Sequence, residues 1–276
     1  MKTRASIALI LVGILALPVV SCKKSSADNT ITGPPGSTDS IPPVPGWTLV
    51  WNDEFGGTGI DATKWEWEVN GDGGGNNELQ YYTGFPENSF IEDGKLVIKA
   101  IKENYLGKRY TSARIRTRNK GDWRYGRFEA RMKLPYGKGM WPAFWMLPTD
   151  WSYGGWPQSG EIDIMELVGH ETNRVYGTIH WGDPDHRQSG GNYVLSTGTF
   201  AADFHTFVVE WDSVGFRWYV DGSQYFSTSR GWPFDQRFHI LLNLAVGGNW
   251  PGNPDEFTYF PQMMYVDYVR VYRSSH

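Results

Sequence analysis

Alternation of apolar and polar residues at every second position is the feature that most narrows what this chain can become. In the run from Gly126 to Met132 the split is complete: Phe128, Ala130 and Met132 fall on one side, Arg127, Glu129 and Arg131 on the other. Successive side chains of an extended strand point to opposite faces, so such a run buries one face and keeps the other polar. The same period recurs from Lys95 to Lys99 and from Phe207 to Trp211, and no window of a dozen residues holds the 3.6-residue period of a helix. Phe216 to Phe226 reads as a hairpin with Asp221-Gly222 in its turn. The chain has 33 glycines and 16 prolines, enough for many short connections. The expected fold is all-β, with two antiparallel sheets packed face to face.

The first residues belong to something else. Met1-Lys2-Thr3-Arg4 is followed by an apolar stretch from Ala5 to Val20 and then Ser21-Cys22. A basic start, a short apolar core and a small residue before the cut form a secretory signal, here residues 1–21, too short for a comfortable membrane span. Cys22 is the sole cysteine and sits where a bacterial lipoprotein receives its lipid, which also excludes disulfides. Residues 22–45 are rich in Ser, Thr, Asp, Pro and Gly and read as a flexible linker. The remainder, 46–276, has the length of one β-sandwich domain with a substantial core. The chain is therefore expected to be an exported lipoprotein, anchored to a membrane through Cys22. With 26 basic against 30 acidic residues, a net charge of −4 and no basic block in the folded part, nucleic acid is not an expected partner.

The chemistry concentrates in Gly160–His170, GEIDIMELVGH, which carries Glu161, Asp163 and Glu166 between isoleucines and a methionine. In a regular strand Glu166 would face away from Glu161 and Asp163. One extra residue near Met165, a β-bulge, returns it to their side. The backbones of Glu161 and Glu166 would then lie ~13 Å apart along the strand at ~3.3 Å per residue. Two inward-leaning side chains could close this to the roughly 5–5.5 Å separation of a retaining glycosidase. An edge strand with a solvated acidic face is the plainer reading of such a triplet. Against it stand Ile162 and Ile164, which need a core on their own side, and the indoles nearby: Trp141 and Trp145 in GKGMWPAFWMLP, then Trp151 and Trp156. Indole faces stack on the C–H faces of sugars.

On these residues the chain resembles the family 16 glycoside hydrolases, and within them the laminarinase-type endo-1,3-β-glucanases. The resemblance rests on GEIDIMELVGH, GMWPAFWMLP, NNELQYYT at 76–83, GTIHW at 177–181 and LNLAVGGNWPG at 242–252, and it runs from Trp47 to Tyr272. It implies a jelly-roll sandwich with a concave substrate cleft. It assigns Glu161 as nucleophile and Glu166 as acid/base, with Asp163 assisting between them. It implies sugar contacts for Asn77, Arg114, His180 and Asn243 and stacking for Trp141, Trp145 and Trp156. It implies no catalytic cofactor but a structural Ca²⁺ held by Glu54, the Gly94 carbonyl and Asp267, hard oxygen ligands that suit that ion. The expected substrate is a β-glucan such as laminarin, and the expected state a monomer. For this mechanism Glu161 must be ionised and Glu166 protonated, the latter needing an upward shift of about two units from ~4.3. Mixed-linkage β-glucan, agar or carrageenan remain alternative substrates on the same fold, as does a non-catalytic glucan-binding role.

Overall fold

The computed structural model describes residues 41–182 and 184–276. The expected signal peptide, Cys22 and most of the expected linker lie outside these residues. Eighteen strands follow one another, and among the described residues there is no helix. In chain order they are β1 (Trp47–Asp53), β2 (Glu66–Trp67), β3 (Gln80–Tyr82), β4 (Ser89–Glu92), β5 (Lys95–Ala100) and β6 (Tyr110–Ser112). Next come β7 (Arg114–Arg116), β8 (Asp122–Trp123), β9 (Gly126–Lys133), β10 (Met140–Pro148), β11 (Glu161–Glu166) and β12 (Arg174–Trp181). The last are β13 (Arg187–Val194), β14 (His205–Trp211), β15 (Phe216–Val220), β16 (Ser223–Thr228), β17 (Phe238–Val246) and β18 (Gln262–Ser274).

They form two eight-stranded sheets. One has the order β16-β15-β14-β9-β18-β5-β4 with β1 also on β18; the other has β13-β12-β11-β10-β17-β7-β2 with β8 also on β17. Every pairing within the two is antiparallel. A short parallel pair, β3 with β6, stands apart from both. The predicted sandwich is thus observed, and strand neighbours far apart in sequence, such as β9 with β18, show that its order is not a simple meander. The hairpin falls where expected, between β15 and β16. Asp221 and Gly222 both have positive φ, 48° and 78°, the backbone that matches the twist of two-residue hairpins.

Alternation decides what lies between the sheets. Phe128, Ala130 and Met132 of β9 are fully buried and meet Phe144 and Met146 of β10, Ile162, Ile164 and Met165 of β11, and Leu242 and Leu244 of β17 in one core. The larger of these side chains, Phe, Leu, Ile and Met, each contribute about 1.5–3 kcal/mol by leaving water. The opposite face of β9 is polar but not open. Glu129 is buried, accepting from Arg127 at 2.7 Å and from the Tyr268 hydroxyl at 2.9 Å. On the second sheet the outward row is β7 Arg114, β17 Asn243, β10 Ala143, β11 Glu166 and β12 Tyr176, paired residue by residue across the strands.

Candidate active site

Strand β11 carries one residue too many for both its neighbours. From Asp163 to Glu166 it advances three positions while β12 advances two, from Thr178 to Tyr176, and β10 likewise moves only from Trp145 to Ala143. The excess is a bulge at Ile164–Met165, both of which turn into the core. This is the predicted device, and it puts Glu161, Asp163 and Glu166 together on the outer face. A bulge leaves ladder groups without strand partners. The Asp163 carbonyl takes the buried Trp218 indole N–H at 2.9 Å, reaching through the core from the other sheet. Trp218 can come so close because residue 177 is glycine: a Cβ there would sit 2.4 Å from the indole.

The three carboxylates lie on the floor of a cleft of about 760 Å³, lined also by Trp141, Trp145, Trp151, Trp156, Trp250, Arg114, His180 and Asn243. Each glutamate is fixed by an indole. Trp156 Nε1 donates to Glu161 Oε2 at 2.8 Å, and Trp141 Nε1 donates to Glu166 Oε1 at 2.9 Å. His180 pairs with Glu161 across the strands, and its Nε2 stands 3.1 Å from Asp163 Oδ2. That contact is an ion-pair distance and not a hydrogen bond, for Oδ2 has no hydrogen-bond partner. Its other nitrogen, Nδ1, is 2.8 Å from His186 Nε2, and the two rings stack.

The electrostatics differ from the sequence expectation in one respect. Burial, reinforced by the Asp163 charge, pushes Glu161 up to about 8, although the His180 charge and the Trp156 N–H act the other way. Burial and the Glu161 charge push Glu166 up to about 7. Asp163, the most enclosed of the three, is raised as well, by burial and then by the charge of Glu166. The proposed acid is raised as expected, but so is the proposed nucleophile. Three carboxyl groups this close and this dry titrate as a set and cannot all be charged near neutrality.

Of the residues expected to meet sugar, Arg114, Trp141, Trp145, Trp156, His180 and Asn243 all line the cleft. Asn77 does not. It is an exposed turn residue with φ of 58°, and its Nδ2 is spent on Asn249 Oδ1 at 2.8 Å, while its neighbour Asn76 lines the cleft. The calcium set also departs from expectation. Glu54 is gripped by Arg270 through two bonds of 2.9 and 2.8 Å, and Asp267 meets Arg131 at 2.7 Å. Both carboxylates already have a positive partner, so the residues as arranged do not fit a cation, and the Gly94 carbonyl alone would not hold one. The closest metal-like grouping among the described residues is Glu161, Asp163 and His180, with ligand atoms within 4.8 Å of one another. That grouping shares Glu161 and Asp163 with the row of carboxylates on β11.

Several cleft residues escaped the sequence reading: Glu68, Glu78, Tyr176, His186, Gln188 and Trp250. Trp250 lies in the LNLAVGGNWPG segment and packs edge-on against both Trp141 and Tyr176, so its aromatic type was a usable signal. His186 offered none, because it is brought in by a loop whose course no local pattern reveals.

Comparison with known proteins places the chain in one family. The family described as Glycosyl hydrolases family 16 matches residues 77–270. The chain is 46% identical to a "Beta-glucanase" of Rhodothermus marinus, over 86% of this chain and 88% of that protein. It is 42% identical to "Glucan endo-1,3-beta-glucosidase A1" of Niallia circulans, over 86% of this chain but only 39% of that longer protein. Among solved structures it is similar to the catalytic domain of an endo-1,3-beta-glucanase (laminarinase) from Thermotoga petrophila, with TM-score 0.79 and 46% identity over 83% of this chain and 99% of that one.

Proposed function

The chain belongs to glycosyl hydrolase family 16, and from that premise we propose that it cuts β-1,3-glucosidic bonds inside laminarin-type glucans, with retention of configuration at the anomeric carbon. The observation that carries the proposal is the bulged β11, which sets Glu161 and Glu166 on one face with an indole N–H on each. The relatives named above, a β-glucanase and two endo-1,3-β-glucanases, support the substrate class.

The reaction takes two displacements. Glu161 attacks the anomeric carbon while Glu166 gives its proton to the departing glycosidic oxygen. A covalent glycosyl ester on Glu161 results, and Glu166, now ionised, draws a proton from water as that water attacks the ester. For the first step Glu161 must be free of its proton. Asp163, the most enclosed of the three and raised by burial and then by the Glu166 charge, is the group that can hold that proton. Two protons among three carboxyls, one on Glu166 and one on Asp163 directed at Glu161, make the reactive state. Asp163 thereby stabilises Glu161 as an anion in a dry site and takes no bond to sugar. No step uses a metal or cofactor.

The charge of the cleft narrows the substrate. Its acidic side chains are Glu68, Asp72, Glu78 and the central three, against Arg114 and two histidines. Arg114 is itself paired with Glu68 at 3.2 Å and Glu78 at 3.8 Å. A sulfated chain would meet net negative charge there, whereas an uncharged glucan meets indole faces and hydrogen-bonding groups. Rates on laminarin, lichenan, agarose and carrageenan, with product sizing, test this. Laminarin is expected to be cut fastest and into oligosaccharides, lichenan more slowly. Faster cleavage of agarose or carrageenan would refute the assignment, and binding without cleavage would make the protein a glucan receptor.

We also propose that Cys22 carries the lipid that holds the enzyme at a membrane, on the ground of its isolation at the end of an apolar leader. Cells fed a fatty-acid analogue should label the wild type and not Cys22→Ala. Equal labelling of both would remove the anchor from the account.

A further inference from the structure

Beside the catalytic carboxylates, beneath the β7 side of the cleft, lies a chain of buried polar groups that the reaction does not use. At its centre is Tyr82, on β3, whose side chain is almost wholly enclosed. Its hydroxyl receives Asn243 Nδ2 at 3.2 Å and Arg114 Nη2 at 3.4 Å, and donates to Glu78 Oε2 at 3.1 Å. The direction of each bond follows from chemistry. An amide NH₂ and a guanidinium can only donate, so the phenol oxygen uses its lone pairs on them and its single hydrogen on the carboxylate. All three bonding capacities of the hydroxyl are filled. The phenol keeps its hydrogen because burial and the adjoining Glu78 charge both raise its pKa far above the ordinary value.

This fixes Asn243. With Nδ2 committed to Tyr82, its Oδ1 faces the cleft wall and accepts Trp145 Nε1 at 2.7 Å. Glu78 is fixed in turn: Gln80 Nε2 donates to it at 2.6 Å, and the Gly73–Gly75 loop closes over it so tightly that a Cβ on Gly74 would lie 2.5 Å from Glu78 Oε1. Arg114 completes the unit, its guanidinium 4.5 Å from the Tyr82 ring centre and 5.3 Å from that of Trp145.

We infer that Tyr82 is a positioning residue that sets the orientation of Trp145 and Arg114, and so the affinity of the cleft for the sugar lying over β7, β17 and β10. The inference rests on the cleft being a glucan site, which hydrolysis of laminarin by the unmodified protein establishes or denies by itself. Tyr82→Phe keeps the ring in the core and deletes only the hydroxyl. Asn243 and Arg114 then lose an acceptor, and the amide loses the constraint that turns its oxygen to Trp145.

The test is the split between KM and kcat on laminarin oligosaccharides, in two backgrounds. Tyr82→Phe should raise KM about tenfold, the cost of leaving buried donors without partners, with kcat within about twofold. In Trp145→Phe, which has no indole N–H to orient, adding Tyr82→Phe should raise KM by less than about threefold. Asn243→Ala cuts the same link from the other side, so it should raise KM similarly, and adding Tyr82→Phe to it should raise KM by less than about threefold, since Arg114 is then the only donor left to lose its acceptor. An unchanged KM in Tyr82→Phe, or equal KM increases in the two backgrounds, would overturn the inference. If Tyr82→Phe does not fold, Asn243→Ala alone and in the Trp145→Phe background decides by the same criterion.

Discussion

Glu161→Ala brings laminarin hydrolysis down by on the order of 10⁴-fold or more, because the group removed makes and breaks the covalent bond and nothing beside it can substitute. Asp163 is the nearest other carboxylate, but its enclosure keeps it from the sugar. The loss falls on kcat. Binding of glucan oligosaccharides, measured by calorimetry, should remain, since Trp141, Trp145 and Arg114 are untouched. The fold should remain too, because Glu161 faces the cleft and not the core between the sheets. Azide supplied to this variant, with a substrate whose leaving group departs readily, enters the space the carboxylate left and attacks from below the sugar, giving an α-glycosyl azide. Wild-type rates in Glu161→Ala would refute its role outright.

Glu166→Ala should lower the rate on laminarin by roughly 10²–10⁴-fold, the usual worth of a positioned proton donor. The size of the loss depends on the leaving group. A sugar hydroxyl departs poorly without a proton, whereas an acidic phenol needs none, so aryl glycosides should still form the glycosyl-enzyme rapidly. Azide then intercepts that ester from above and gives the β-azide, the opposite anomer to that from Glu161→Ala. The pH profile supplies a second readout. Glu166 works as an acid only while protonated, and burial together with the Glu161 charge lifts it to about 7. Wild-type activity on laminarin should therefore decline as pH rises through neutrality, and that decline should be absent for aryl glycosides in Glu166→Ala.

How much of this was legible beforehand depended on whether the determining force was local. Strand period and core residues were, because alternation at β9 and β14 reports burial directly. The bulge was also legible, since three acids at 161, 163 and 166 can share a face only if a residue is added between them. Arg114 and Asn243 were expected from resemblance alone, and the structure sets them on paired strands, β7 and β17, lining the cleft beside Trp141 and Trp145 of β10. Asn77 lies outside the cleft because a left-handed turn, tied to Asn249 by a single side-chain bond, redirects it. The ion pairs that occupy Glu54 and Asp267 were not legible, because the arginines that make them lie on β18 and β9, distant in sequence from their partners. The shared titration of Glu161 with Asp163 and Glu166 was hidden for another reason: acidity in a dry site depends on enclosure by Trp156, Trp141 and His180, which only the folded chain assembles.

The central claim is that Glu161 and Glu166 act on the same bond in two displacements, and the most direct test is the anomeric form of the first product. Proton NMR during the first minutes of laminarin cleavage, before the sugar equilibrates with its other anomer, should show β-configured reducing ends appearing first and α-configured ends only later. Initial accumulation of the α anomer would mean a single displacement by water, and would contradict a covalent role for Glu161.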